Sequence, residues 1–516
     1  MPNTYWLAVG VITVAGLIWV IIWLPRWCAL LIHRLREFFL LDRKSSRLQK
    51  ASKLLPDPEL YRLLNAENTG LLIDGTPKRR LSEDASFQHC AIISPTGGGK
   101  TTKYVVPNML TLDNCSMVVN DPSGAIYRLT SGYLQAKGFD IKVLNLKDPT
   151  RGMRYNPIAK AKTAIEVDQL AYVLMRSSNP VINAADQFWY DEPQNPIACL
   201  IHCLNNTGRP ELQNLHNLLT LLQRFGDTGE PIADFVARYH GTDANLNRWL
   251  GFISSQDRMR AAVVTMARNT LRLLNIPEIA SLMSADDFDF RQLRERKTVF
   301  YIISPERHAH FYRFILNTFF AQLFDAMMDD RYEREGLPLY CFFDEFGHSI
   351  VPAFDETCTT IRKFRVSLSI VLQSVCQLRE KYGENAAKTI LSGGMVNKIF
   401  YSGLDPDTSK AVEEMLGKRR VAMVMRDGEI RHQDENLMNA DRISRIYQTQ
   451  QFFLRNGEEP VLLPVTPFYK NPSLLHRTKI APVPLPEHSD RADPVFVDIP
   501  ITNQLGKLSE RFEDAA

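Results

Sequence analysis

Ser94-Pro-Thr-Gly-Gly-Gly-Lys-Thr101 is the stretch richest in usable chemistry. Glycines, lacking Cβ, let successive backbone N–H groups curl about an anion. A helix beginning at the same point adds the partial positive charge of its N-terminus. Thr96, Gly97, Gly98, Gly99, Lys100, Thr101 and Thr102 are therefore the candidate triphosphate cradle. In this pattern Lys100 reaches the β- and γ-phosphates and the Thr101 hydroxyl ligates Mg²⁺. Ser94 stands where the G-x-x-x-x-G-K-[ST] pattern has its first glycine.

A second group lies far downstream. Leu339-Tyr-Cys-Phe-Phe-Asp-Glu345 is an apolar run ending in two carboxylates. Asp344 is placed to hold Mg²⁺ directly or through water, and Glu345 to polarise a water for in-line attack on the γ-phosphate. Such a run is a weak signal alone; joined to the glycine loop it points to hydrolysis of ATP with Mg²⁺. Ser367 to Gln373 is another apolar run, ending in an amide. Gln373 could sense the γ-phosphate or the lytic water, or simply cap a strand. Between the two runs lie Arg362 and Lys363. A guanidinium there could stabilise the transferring phosphoryl group, and if supplied by a neighbouring subunit it would require a ring. A plain basic surface pair is an equal reading.

These groups need a scaffold. Apolar runs at Ala91–Ile93, Ser116–Asn120, Ile141–Leu146, Thr298–Ile303, Tyr340–Phe343, Ser367–Leu372 and Lys398–Tyr401 read as strands buried on both faces. They predict an α/β fold with a mostly parallel sheet, a RecA-like P-loop ATPase domain. The domain is expected over about residues 46–165 and 290–470. From about 166 to 289 the strand signal gives way to helical periodicity, which predicts an all-helical insertion. Beyond about 470 six prolines and an acidic end predict an extended or disordered tail.

The chain has 516 residues, 45% hydrophobic and 23% charged, with a net charge of +3. That balance is ordinary for a globular protein and too near neutral to argue for nucleic acid by itself. Its 8 cysteines form no C-x-x-C pair, which fits a reducing compartment. Near the start, Tyr5 to Leu24 is uncharged over roughly 20 residues, the length of a bilayer crossing. Arg26, Arg34, Arg36, Arg43 and Lys44 follow it. This predicts a transmembrane helix in a membrane anchor over about residues 1–45, with the bulk of the protein on the cytoplasmic side.

In order and spacing, the motifs resemble those of TraG/TraD-type coupling proteins of type IV secretion and conjugation systems. The resemblance covers the glycine loop, Val106-Pro-Asn-Met-Leu110, Asn120-Asp-Pro-Ser-Gly124, Tyr155-Asn-Pro157, Phe188-Trp189, Asp344-Glu-Phe-Gly347, Arg362-Lys363, Leu372-Gln-Ser374 and Gln377-Leu378. It implies a membrane-anchored homohexameric ATPase that brings a relaxase and single-stranded DNA to the subunits of a secretion channel. It also implies nucleotide and Mg²⁺ binding at Lys100 and Thr101, hydrolysis at Asp344 and Glu345, a phosphate sensor at Gln373 and a trans-acting finger at Arg362. Ser123 and Ala125 replace a lysine and a glutamate of the family pattern, and the single spanning segment replaces a helical hairpin. Two other functions fit parts of the sequence: a receptor recruiting protein substrates without pumping DNA, and a DNA pump of the FtsK/HerA kind.

Overall fold

The computed structural model describes residues 53–55, 60, 62–177, 192–305, 307, 309–348, 351–424, 430–487 and 495–498. The expected spanning segment at 5–24 lies outside them. No helix among the described residues is long and apolar enough to cross a membrane.

Eleven strands form among these residues: β1 Cys90–Ile93, β2 Ser116–Asn120, β3 Asp140–Asn145, β4 Thr298–Ile303, β5 Leu339–Phe343, β6 Val366–Leu372, β7 Asn397–Tyr401, β8 Lys418–Val424, β9 Ile430–Asn436, β10 Gln450–Arg455 and β11 Val461–Pro464. Nine make one sheet, in the order β11-β10-β7-β1-β6-β5-β2-β4-β3. From β7 to β3 every neighbouring pair is parallel. β10 and β11 add an antiparallel margin beyond β7. Strands β1, β2, β4, β5, β6 and β7 are buried along their whole length. That is why their sequences are unbroken apolar runs rather than alternating ones. All seven strands read from the sequence fall in this sheet, within a residue of the expected bounds.

After β1 a wide π-type turn, Thr101–Val105, leads into α1, Val106–Thr111. Helix α2, Ala125–Ala136, follows β2. Between β3 and β4 the described residues hold no strand. They form α3 Ala164–Arg176, α4 Gln194–Asn206, α5 Leu215–Gln223, α6 Glu230–Tyr239, α7 Asp243–Ile253 and α8 Asp257–Leu271. Thr163 and Glu166 open α3 with a reciprocal capping box, 3.2 Å and 2.8 Å. On α4, Ile197 to Ile201, Cys203 and Leu204 are all buried, so this helix is the core of the insertion. Two further helices, α9 Ala309–Met327 and α10 Val375–Thr389, flank the strands that carry the site.

The tail is expected to be extended or disordered, and its described part holds a short helix followed by an extended strap. Residues 472–487 and 495–498 lie mostly exposed but are held to the domain at particular points, with Leu474 and Val497 buried. Helix α11, Pro472–Arg477, has Asn471 as its N-cap and buries Leu474 against α1. The following chain crosses α2. The Ser131 hydroxyl accepts from Val483 N–H at 3.2 Å, and the Tyr127 hydroxyl donates to the Val483 carbonyl. A Cβ on Gly132 would lie 2.0 Å from the Ala481 carbonyl oxygen, so glycine in mid-helix is what admits the strap. The Pro486 carbonyl accepts from Gly152 N–H at 3.1 Å. A proline-rich segment cannot donate fully to a ladder, yet its carbonyls remain good acceptors. Composition alone does not show that they are used.

Residues 414–437 belong to a separate unit. Its described part contains an antiparallel ribbon of β8 and β9, paired from Lys418 with Asn436 to Val424 with Ile430. Cross-strand ion pairs join Arg419 to Glu435 at 3.6 Å and Arg420 to Asp434 at 3.4 Å. Both are exposed and contribute little energy.

Candidate nucleotide site

The site lies at the carboxyl edge of the parallel strands, where the chain leaves β1, β5 and β6 in adjacent positions. Ser94 N–H donates to the Leu372 carbonyl at 3.1 Å, which carries the β1–β6 pairing one residue into the loop. Gly97 and Gly99 have φ of 78° and 84°, the left-handed region that alternates with right-handed residues in an anion nest. Open space lies over Gly97. Gly98 has another reason to lack a side chain: a Cβ there would meet the Ser94 hydroxyl at 1.9 Å. Ser94 itself is not among the left-handed residues, so the loop keeps its shape without a glycine at that position.

Lys100 is buried, and its Nζ donates to the carbonyls of Ser94 at 2.9 Å and Pro95 at 3.4 Å. Burial holds it below the ordinary lysine range, against the attraction of Glu345 and Asp344. Thr102 turns its hydroxyl back to the Gly99 carbonyl at 3.1 Å, while Thr96 sits exposed on the crest. Lys103 braces the loop from the far side, with Nζ 2.8 Å from the Gly98 carbonyl and 3.1 Å from that of Gln448. Sequence reading passed over Lys103. The available signal was a second lysine one helical turn beyond Lys100.

The two distant halves meet. Thr101 Oγ1 donates to Asp344 Oδ2 at 2.9 Å across 243 positions. Asp344 is 8% exposed, and its Oδ1 is buried with no hydrogen-bond partner among the described residues. Burial pushes its carboxyl up to about 6; Glu345 and Asp121 add to that rise, and the Thr101 hydroxyl and Lys100 oppose it. Asp121, at the end of β2, is fully buried and also raised by burial, with the Tyr127 N–H and Ser123 hydroxyl on its two oxygens. A hydroxyl beside a carboxylate with an unspent oxygen is a hard-oxygen pair of the kind Mg²⁺ takes.

Glu345 follows directly in the left-handed region, φ 60°. Such a conformation costs a side-chain-bearing residue about 1–2 kcal/mol and persists only where the surroundings hold it. Gln373, at the end of β6, donates its Nε2–H to Glu345 Oε2 at 3.1 Å. Its own N–H is held by Gln377 Oε1 at 2.9 Å. Gly347 packs against the Gln377 side chain, closer than any Cβ would allow. So Lys100, Thr101, Asp344, Glu345 and Gln373 come together. Arg362 does not join them. It sits exposed in the turn Ile361–Phe364 that precedes β6, at the opposite edge of the sheet.

Residues 61–483 match the model of the family described as "Type IV secretory system Conjugative DNA transfer". Protein VirD4 of Rhizobium rhizogenes is 21% identical over 452 residues, 81% of this chain and 65% of that protein. The conjugal transfer protein TraG of Rhizobium radiobacter is 23% identical over 406 residues, 73% of this chain and 62% of that protein. The chain thus spans just under two thirds of the length of these relatives. Among solved structures, the bacterial conjugative coupling protein TrwBdeltaN70 in its unbound monoclinic form has a TM-score of 0.64 at 17% identity, covering 81% of this chain and 93% of that one. The plasmid coupling protein TrwB in complex with ADP and Mg²⁺ has a TM-score of 0.63 at 18% identity, covering 81% and 94%. At these identities the likeness is one of fold, a mixed α/β architecture around a large parallel sheet. With the family model matched over most of its length, the chain belongs to the type IV secretory system conjugative DNA transfer family.

Proposed function

We propose that the chain is a RecA-like ATPase that couples a relaxase and its single-stranded DNA to a type IV secretion channel. In this reading it works as an inner-membrane homohexamer, with the sheet domain over about residues 46–165 and 290–470 as its motor and the helical insertion over about 166–289 facing the cargo. The observation that carries the reading is the 2.9 Å contact between Thr101 and Asp344. It joins the glycine loop to the acidic strand end, the two parts that a nucleotide hydrolase must bring together.

The geometry of the carboxyl edge supports the following roles. The backbone N–H groups of Thr96 to Thr102 and the Lys100 ammonium bind the triphosphate. Thr101 and Asp344 are the residues that would hold Mg²⁺, which when bound neutralises charge on the β- and γ-phosphates. Glu345 positions the attacking water, and Gln373, bonded to the same carboxylate, couples that water to the phosphate it attacks. Arg362 supplies positive charge to a neighbouring subunit's site. Contact with DNA is expected to be mainly to phosphates and to weaken with salt.

The test is Lys100→Ala in a cell that donates DNA. Removing the ammonium is expected to lower ATP hydrolysis by about a thousandfold and to abolish DNA transfer, with protein level unchanged. Normal transfer by this variant would remove the motor from the account. TrwB is described as a plasmid coupling protein and has been captured with ADP and Mg²⁺, which supports this reading over a chromosome pump.

A further inference from the structure

The last described piece of the chain, residues 495–498, is docked on the helical insertion. On α5, Asn217 is 0% exposed, and both functions of its amide are spent on the backbone of that piece. Its Nδ2–H donates to the Val495 carbonyl at 2.8 Å, and its Oδ1 accepts from Val497 N–H at 3.0 Å. A carbonyl and an N–H two residues apart lie on the same side of an extended chain. The amide therefore copies one rung of a β-ladder. The same Nδ2 also donates to the Leu212 carbonyl at 3.0 Å, which fixes the amide's orientation. Val497 is buried to 3%, while Phe496 sets its ring edge-on to His216 with centroids 4.9 Å apart.

Asn217 lies in the first turn of α5, and a buried asparagine is costly unless its amide is satisfied. Here one Nδ2–H goes to the Leu212 carbonyl, and the remaining partners come from 278 and 280 positions away. These remaining partners are backbone groups, present in any peptide, joined to one apolar side chain that is buried. We propose that this face of α5 is a binding site for extended apolar peptides, and that the chain's own Val495–Val497 is its resident, tethered occupant. A partner protein that presents an extended segment with a β-branched residue in the place of Val497 competes for it. A tether raises the local concentration of the resident ligand to the millimolar range. The site is then closed to weak competitors and open to good ones. The proposal does not depend on ATP hydrolysis, and the two can fail separately.

The test uses the full chain and a fluorescent synthetic peptide covering residues 493–499, read by anisotropy. The chain carrying Val497→Asp releases its own tail, because an aspartate cannot enter the buried position. It is expected to bind the peptide at least about tenfold more tightly than the unaltered chain does. The same peptide carrying Val497→Asp should lose that binding. Adding Asn217→Leu to the Val497→Asp chain should lose it too, with thermal unfolding and nucleotide binding as checks on the fold. Equal peptide binding by the Val497→Asp and unaltered chains would overturn the proposal. So would peptide binding that ignores the substitution in the peptide, and both outcomes are readable even if the Asn217 variant misfolds.

Discussion

The two edges of the central sheet are built in opposite ways. At the carboxyl edge, Thr101 is bonded to Asp344, Gln373 to Glu345, and Lys100 to its own loop. The polar groups face one another across strand ends. At the amino edge the polar groups are used as anchors. Arg294, 2% exposed, donates to the Phe364 carbonyl at 2.6 Å and the Leu337 carbonyl at 2.9 Å, and lies over the Tyr332 ring. Arg365, at φ 57°, donates to the Gly336 carbonyl at 2.9 Å. His89, also left-handed at φ 61°, accepts from Leu368 N–H at 3.0 Å beneath the same turn. This scaffold holds Arg362 outward. β6 alone, with 7 residues, sets the two edges about 20 Å apart. In the proposed reading, one edge is a nucleotide site that lacks a positive finger, and the other carries the finger. Apposed subunits in a ring would bring them together.

Mixing subunits can break that comparison. Arg362→Ala is expected to lower kcat for ATP by about a thousandfold, with nucleotide affinity nearly unchanged. The Lys100→Ala chain should be equally inactive alone. If the finger acts across an interface, mixing the two inactive proteins should restore measurable hydrolysis, because some interfaces then pair an intact loop with an intact arginine. Steady-state ATPase over a range of mixing ratios checks this. Mixtures as inactive as the parents would argue against action across an interface, and an Arg362→Ala chain with normal kcat would place Arg362 outside the chemistry.

A smaller effect is expected inside the carboxyl edge. Gln373→Ala leaves the Glu345 carboxylate in place but without its amide donor. We expect about a tenfold to hundredfold loss in kcat and little change in KM. A raised KM with normal kcat would mean that Gln373 binds the ground state instead. Glu345→Gln should fall further than Gln373→Ala, since it removes the charge proposed to orient the water.

The carboxyl edge was largely legible in the sequence because its groups sit in contiguous motifs at strand ends. The apolar runs gave the strands, and the glycines gave the loop. What the runs could not give was the strand order β1-β6-β5, which places Asp344 two strands from the loop. β10 went unread because its buried position 451 is a glutamine, whose Nε2–H donates to the Ile73 carbonyl at 2.8 Å, rather than an apolar residue. β8 and β9 went unread because charges that pair across the ribbon, Arg419 with Glu435 and Arg420 with Asp434, interrupt their apolar residues. The strap beyond residue 478 was hidden by its prolines, although Gly132 in mid-helix was a visible mark of a close approach. The amino edge was the least legible. Arg294, Arg365 and His89 look like scattered polar residues until the fold buries or turns them.

His89 gives the gentlest test of that edge. It is fully buried, and burial pushes its imidazole down to about 3, with the Arg362 charge adding to the effect. In the unfolded chain an imidazole takes up its proton near pH 6.5. Between these values the unfolded state holds a proton that the folded state refuses. The stabilising effect is therefore complete above about pH 6.5 and is lost as pH falls, by roughly 1.4 kcal/mol per unit. His89→Asn keeps a residue tolerant of positive φ and an oxygen able to accept from Leu368 N–H, but it cannot titrate. The variant should be modestly less stable at pH 7. Between pH 6.5 and pH 5 it should lose about 2 kcal/mol less than the unaltered chain, measured by urea unfolding. Equal acid sensitivity in the two proteins would show that the buried imidazole takes up its proton without unfolding, and that the amino edge is looser than the bonds around Arg362 imply.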